Sequence, residues 1–323
     1  TKPPTVLSSK RSAFLNKGRS GGGVDCSDPC VVLSTGHGFG TNDDLFITNL
    51  SSGSTVQYSH TMIENGEIAK FGNKFWILVH GAFEFREFEL NNDCTATYVR
   101  TISVDPSMYS SSIAGVYTVN GLTAKDANTL IIGSVDGTPA SGGTLMEVDI
   151  SGSTAVFTTL FQTGYINGDL VYIPSSNTIA TAEFIQGSGP TGVVAVHYDY
   201  SGAILGQTSI GGGGSIGYGM FCYDGKVIVN SNAGTKWFDL DNYTIQSYPL
   251  NIINAGDQAS SSSCCDTPTQ PSGECYDIGD TGPEGGIIFA VPLGHPQNVG
   301  VNQSDYYYEV AANDIATSGT PSA

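Results

Sequence analysis

The sequence is short of charge, short of helical patterning and short of catalytic motifs. Charged residues make up 13% of its 323 positions, with 12 Lys and Arg against 30 Asp and Glu, for a net charge of −18. A chain this acidic is repelled by nucleic acid and by anionic membrane surfaces, so neither is an expected partner. No apolar run is long enough to span a bilayer, which excludes helical membrane insertion. No segment of ten or more residues keeps a 3.6-residue apolar period, so little helix is expected. His37, His60, His80, His197 and His295 are scattered and form no HExxH pair. No Gly-x-Ser-x-Gly elbow leads from a strand into a helix, and there is no P-loop. Gly36-His37-Gly38-Phe39-Gly40 and Gly211-Gly212-Gly213-Gly214 lack a following helix whose N-terminus would hold an anion, and both read as loops. Starting at Thr1 with no Met and no signal peptide, the chain reads as a processed mature protein or an incompletely read one.

What the chain has in quantity is turn chemistry. Its 42 Gly, among frequent Ser, Thr and Asn, imply many short strands joined by tight turns. One phrase recurs: an apolar strand, a polar anchor, a small turn and a second strand. The anchors are Asn49, Glu89, Asp149, Asp199 and Asp239, spaced 40, 60, 50 and 40 residues apart. A hairpin at that interval points to a radial β-repeat. Because the anchors recur in every unit, they read as turn residues capping backbone amides. Later units also open on a Gly-containing element, as in Asn65-Gly66-Glu67, Asn120-Gly121-Leu122, Asn167-Gly168-Asp169 and Gly217-Tyr218-Gly219. The first unit lacks one, while an orphan copy, Asn254-Ala255-Gly256-Asp257, follows the last anchor. The expected fold is therefore all-β, an approximately five-bladed β-propeller over residues 26–263 whose ring is closed by a C-terminal strand. An extended basic arm (1–25) precedes it, and a linker (264–274) and a small β-rich C-terminal module (275–323) follow.

Five of the seven cysteines, Cys26, Cys30, Cys264, Cys265 and Cys275, flank the repeats, and Cys94 and Cys222 lie within them. Flanking cysteines suit disulfides that staple the ends of a domain in an oxidising compartment. Ring closure would bring Cys26 or Cys30 within reach of Cys264 or Cys265. The same four residues imitate a zinc site, but no His stands at ligand spacing beside them. Asn49, Asn242 and Asn302 head Asn-x-Ser/Thr sequons and are the candidate glycosylation sites.

The two ends differ from the repeats. Lys2, Lys10, Arg11, Lys17 and Arg19 are five of the twelve basic residues, and the first acid is Asp25. Val6, Leu7, Phe14 and Leu15 give this arm apolar contacts, and Gly21-Gly22-Gly23 forms a hinge. A basic, partly apolar arm on an acidic body suits binding to another copy of the same chain. At the other end, Gly279-Asp280-Thr281-Gly282-Pro283-Glu284-Gly285-Gly286 leads into Ile287-Ile288-Phe289, and Tyr306-Tyr307-Tyr308-Glu309-Val310 follows. These blocks resemble the Lcl C-terminal-like family, a domain of unknown function on bacterial surface proteins and in phage structural proteins. They are also similar to proteins of marine and freshwater phages. The resemblance spans only residues 275–323 and stops where family members continue, which implies an incomplete module.

For chemistry, the sharpest alternative is a five-bladed glycosidase with paired carboxylates on inner strands. Its candidates are Glu64, Glu67, Asp126, Asp169 and Asp257, although Asp beside Gly is equally explained by turns. Asp239 and Asp241 lack the ligand spacing of a calcium loop. Tyr165, Tyr218, Tyr306, Tyr307 and Tyr308 could stack on sugars or pack at interfaces. No cofactor or metal is expected. The reading is a non-enzymatic subunit of an extracellular filament or virion appendage, polymerising head-to-tail with itself through the arm. The inter-subunit residues are Val6, Leu7, Lys10, Arg11, Phe14, Leu15, Lys17 and Arg19. The alternative is a glycan- or receptor-binding module of a phage tail fibre or cell-surface adhesin.

Overall fold

The computed structural model describes residues 24–28, 30–35, 44–50, 52–63, 66–79, 84–104, 119–135, 143–164, 166–187, 189–211, 217–231, 234–248, 257–266, 287–290 and 308–310. Residues 1–23 of the basic arm, Glu64, Tyr165, Cys275, Asn302, Tyr306 and Tyr307 lie outside them. The fold is all-β, and among the described residues the only helical turn is η1 (Ser262–Cys265).

The strands fall into five units. The first holds β1 (Val32–Thr35), β2 (Asp44–Asn49) and β3 (Ser54–Ser59). The second holds β4 (Glu67–Phe71), β5 (Lys74–Val79), β6 (Glu84–Leu90) and β7 (Ala96–Val104). The third holds β8 (Val119–Ala124), β9 (Thr129–Val135), β10 (Gly143–Asp149) and β11 (Thr154–Gln162). In the fourth are β12 (Ile166–Ile173), β13 (Thr178–Gly187), β14 (Gly189–Asp199) and β15 (Ile204–Gly211). The fifth comprises β16 (Gly217–Tyr223), β17 (Lys226–Ser231), β18 (Gly234–Asp239) and β19 (Thr244–Ser247). Neighbouring strands within each unit are antiparallel. A late strand, β20 (Gln258–Ala259), pairs with β1 through Leu33↔Ala259 and Ser34↔Gln258, giving the first unit its fourth strand. The second and third units merge into one eight-stranded sheet because β7 and β11 pair in parallel at Thr154↔Ser103 and Ala155↔Val104. Its two edge strands, β4 and β8, lie against each other. Separately, β21 (Ile287–Ala290) and β22 (Tyr308–Val310) form a two-stranded antiparallel sheet.

The first strands of the units touch in a cyclic order: β20 on β4, β4 on β8, β8 on β12, β12 on β16, and β16 on β20. The apolar core follows the same order. Leu33, Leu45 and Ile47 pack with Phe75, Ile77 and Phe88 between the first and second units. Trp76, Phe85 and Ile102 pack with Leu130, Met146 and Phe157 between the second and third. The next seams are Ile131 and Leu145 with Leu170 and Ile179, then Val171 and Ala195 with Val229 and Phe238. Val32 and Leu50 meet Phe221 and Ile228 at the last. Strand composition follows from this placement. In β5, KFWILV, every residue after Lys74 is buried because a neighbouring unit covers each face. In β11, TAVFTTLFQ, the first four residues alternate exposed and buried, as one-sided burial requires.

The turn anchors are as their chemistry implies at four positions. Asn49 Oδ1 accepts the Ser52 N–H (3.0 Å) and Asp149 Oδ1 that of Ser151 (2.8 Å). Asp199 Oδ1 accepts from the Ser201 and Ala203 amides, and Asp239 Oδ1 from those of Asp241 and Asn242. The fifth needs correction. Glu89 sits inside β6 opposite Thr97 and accepts from Asn73 Nδ2 (2.6 Å). The turn after β6 is instead built by Asn91, whose N–H donates to Thr95 O, and by Asp93, which accepts the Thr95 N–H.

Candidate functional site

Three carboxyls meet where the first strands meet. Glu67 opens β4, Asp169 lies in β12 just past a bulge at Gly168, and Asp257 immediately precedes β20. Each follows a Gly, and the openings of β4 and β8 show what a Gly does at this place. A Cβ on Gly66 would run into the Leu78 carbonyl of the partner strand. A Cβ on Gly121, the matching residue of β8, would lie 2.9 Å from Asp169 Cα. The small residue lets adjoining backbones approach, and that approach delivers the next side chain to the centre. Two of the carboxyls tie one unit to the next. Asp257 Oδ2 accepts the Ile68 N–H (2.6 Å), and Asp169 Oδ2 accepts the Met220 N–H. Asp169 Oδ1 also accepts the Leu170 N–H (2.7 Å). The Asp257 backbone joins in, its carbonyl accepting the Thr35 N–H (3.1 Å).

The carboxyls also act on one another. Burial pushes Glu67 up to about 8; the Asp169 charge adds to the rise and hydrogen bonding to Asp257 opposes it. Asp257 is raised by burial and then by Glu67, and Asp169 by burial and then by Asp257. Asp169 is fully buried, while Glu67 and Asp257 keep some accessible surface. A hydrogen bond between two carboxyls requires a proton on one of them, and burial with the neighbouring charges favours the protonated form of all three. Three residues further along β4, buried Lys70 is pushed down to about 7 by burial, against the pull of Asp28.

Glu67, Asp169 and Asp257 are thus three of the five carboxylates singled out from sequence, and turn chemistry does not explain them. Asp126 is elsewhere, in the β8–β9 hairpin, accepting the Asn128 N–H (2.8 Å). The signal that separates them is their shared place: an acid directly after the opening Gly in three units, against Leu122 and Met220 in the other two. Among the described residues, no group of three or more His, Cys, Asp or Glu is arranged to hold a metal ion.

A second charged group went unread in the sequence. Glu87 on β6, with its side chain 2% exposed, accepts from Lys74 Nζ (2.8 Å) and Arg100 Nε (2.6 Å). Arg100 also donates to the carbonyls of Ile150 (2.8 Å) and Gly152 (2.8 Å), bridging the second unit to a turn of the third. Burial would raise Glu87, but the bonds from Lys74 and Arg100 outweigh it and hold the carboxyl below its ordinary value. Between the third and fourth units, Lys125 Nζ contacts Glu147 Oε2 (2.9 Å) and the Tyr200 hydroxyl (3.1 Å), and Tyr200 bonds Glu147.

Cysteines fasten the body at its ends. Cys30 pairs with Cys264 across a sequence separation of 234, Cys26 with Cys94, and Cys222 with Cys265, at Cα separations of 5.6, 5.3 and 4.7 Å. The vicinal pair in η1 therefore reaches both the segment before β1 and strand β16. Three disulfides place the protein in an oxidising, secreted or extracellular setting. The packed body extends to Asp266, whose Oδ1 accepts the Ser175 N–H (3.2 Å). Among the sequons, Asn49 is buried with its side chain in the turn, whereas Asn242 is exposed and donates to Asp239 Oδ2 (3.1 Å).

No family model and no curated protein matches the chain. Among solved structures, a functionally unknown protein from Desulfotomaculum acetoxidans DSM 771 aligns at 13% identity over 75% of this chain and 73% of that one, with a TM-score of 0.43. Hydrazine synthase of Kuenenia stuttgartiensis aligns at 13% identity over 66% of this chain and 65% of that one, with a TM-score of 0.38. Neither likeness is close enough to bear on what this chain does.

Proposed function

We propose that the chain is a non-enzymatic structural subunit of an extracellular filament or virion appendage, polymerising head-to-tail through residues 1–25. The observation that carries this reading is the β21–β22 sheet. It has two strands, and among the described residues no third strand pairs with either edge. Two strands alone are marginal in water, and an open edge beside Ile287-Ile288-Phe289 is a template for an added strand. The arm, with Val6, Leu7, Phe14 and Leu15 among its basic residues, has the composition to supply one from the next copy. Its charge is opposite to that of the body, so assembly weakens as salt rises. A contact of this type does not close on itself and propagates a filament.

Between such contacts the body acts as a rigid bead, and we read its five units as the blades of a β-propeller closed by β20. The cyclic contacts of the first strands and the five apolar seams support that count. Deleting residues 1–20 should leave a folded monomer by sedimentation and circular dichroism that forms no filaments by electron microscopy. Filaments surviving the deletion would sink the proposal.

The convergence of Glu67, Asp169 and Asp257 favours a second reading, a glycosidase. Against it, both Asp169 oxygens are taken by backbone amides, and all three carboxyls are held toward their protonated forms. Hydrolysis needs one free carboxylate as base or nucleophile. Sugar release that disappears in Glu67→Gln and Asp169→Asn would establish the enzyme. A glycan array tests the receptor-binding alternative, since a scaffold shows no selective binding.

A further inference from the structure

The closing strand β20 is short, two residues paired to β1 at two positions, and its ladder alone is a weak fastening for the end of the body. The side chains around it supply more. Asp257 reaches forward to β4 through the Ile68 amide and lies beside Glu67. On the far side, Ser260 Oγ bonds the Cys222 N–H (2.9 Å) and Cys222 O (2.5 Å) of β16. Asp169 receives the Met220 amide of that same strand. We propose that Glu67, Asp257 and Asp169 form a proton-held latch on β20, which seats the strand while the carboxyls share protons and loosens it when they ionise.

The elements around this cluster bring few ionisable side chains among the described residues. From β4 come Glu67 and Lys70; from β12, Asp169 and, further along, Tyr172; from β16, Tyr223; β1 and β8 bring no ionisable side chain. Burial is the largest influence on all three carboxyls, and the charge of a neighbouring carboxyl follows it in each case. Burial also raises Tyr172 and Tyr223, whose phenols stay neutral through pH 9. Lys70 works in the opposite sense: held down to about 7, it favours the folded state as pH rises above that point. Acids raised on folding contribute most at low pH, and their contribution falls as pH rises from the unfolded value through the folded one, about 8 for Glu67. The loosening therefore belongs to the interval from about pH 5 to pH 9. The latch is independent of how copies of the chain assemble.

The test uses the full chain with disulfides oxidised and any free thiol alkylated. Thermal midpoints are read by circular dichroism at pH 6 and pH 9. The parent is expected to lose on the order of 5–10 °C over that interval. Glu67→Gln, which mimics the protonated side chain, should lose less than half as much, and Lys70→Met should lose at least as much as the parent. In parallel, infrared difference spectra of the parent should show a protonated-carboxyl C=O band at pH 6 that weakens by pH 9 and is reduced in Glu67→Gln. A flat parent midpoint, an equal loss in Glu67→Gln, or no such band at pH 6 overturns the latch. Should Glu67→Gln fail to fold, the parent's band decides alone.

Discussion

Replacing Arg100 by Ala tests how the second and third units are joined. The guanidinium makes a 2.6 Å bond to Glu87 Oε2 and reaches the carbonyls of Ile150 and Gly152, both at 2.8 Å. The turn carbonyls regain water when it is removed, so their loss is small. Glu87 does not, because its side chain is 2% exposed and, among the described residues, Lys74 alone remains to satisfy it. Losing one charge-assisted partner of a buried carboxylate costs about 1.5–3 kcal/mol. Arg100 is itself 34% exposed, which draws the figure toward the lower half of that span through solvent screening. We expect a destabilisation of about 2 kcal/mol, read as a shift in urea midpoint at unchanged m-value with the disulfides intact. Arg100→Lys should recover only part of it, since an ammonium cannot span the carboxylate and the turn together. The difference is pH-dependent. Glu87 is held below its ordinary value of 4.5, so its stabilisation is full above that pH and is lost as pH falls through the depressed value. The Arg100→Ala deficit should therefore shrink in acid. An Arg100→Ala chain within about 0.5 kcal/mol of the parent at pH 7, the range of an ordinary surface substitution, would refute the bridge.

Three further outcomes are expected. Trp76 is fully buried at the seam of the second and third units, and among the described residues its Nε1–H meets no acceptor. Trp76→Ala should cost about 3–5 kcal/mol in denaturant midpoint, while Trp76→Phe, which deletes the unsatisfied donor, should stay within about 1.5 kcal/mol of the parent. Gly121→Ala pushes a methyl to 2.9 Å from Asp169 Cα and should cost about 1–3 kcal/mol, with amide exchange quickening along β8 and β12 first. Removing the Cys30–Cys264 link as a double Ala variant frees a separation of 234 residues and should lower stability by up to about 5 kcal/mol, measured against the parent under non-reducing conditions.

Repetition made much of the architecture readable. The anchors and Gly openings marked many of the strand hairpins of an all-β chain, and the orphan Asn254-Ala255-Gly256-Asp257 marked the strand that pairs with β1. Glu89 was misassigned because an acid preceding Asn91-Asn92-Asp93 looks like an anchor in one dimension, while strand register moves the turn two residues on. The parallel β7–β11 pairing could not be foreseen, since neither strand carries a mark that distinguishes it from β3 or β15. The carboxyl cluster was half legible. Its members were named individually, but only the packing of β4, β12 and β20 shows that three distant Gly-acid steps face one another. The Glu87–Lys74–Arg100 group left no local signal, because its partners lie 13 residues away on either side and meet through strand pairing.

The claim that this chain builds filaments by strand addition is tested most directly by hydrogen exchange at residues 287–290 and 308–310. In assembled full-length protein these amides should exchange slowly. In protein lacking residues 1–20 they should exchange at near-intrinsic rates, and adding a peptide of residues 1–20 should restore protection. Filaments in which both segments still exchange fast, or protection that persists without the arm, would contradict strand addition.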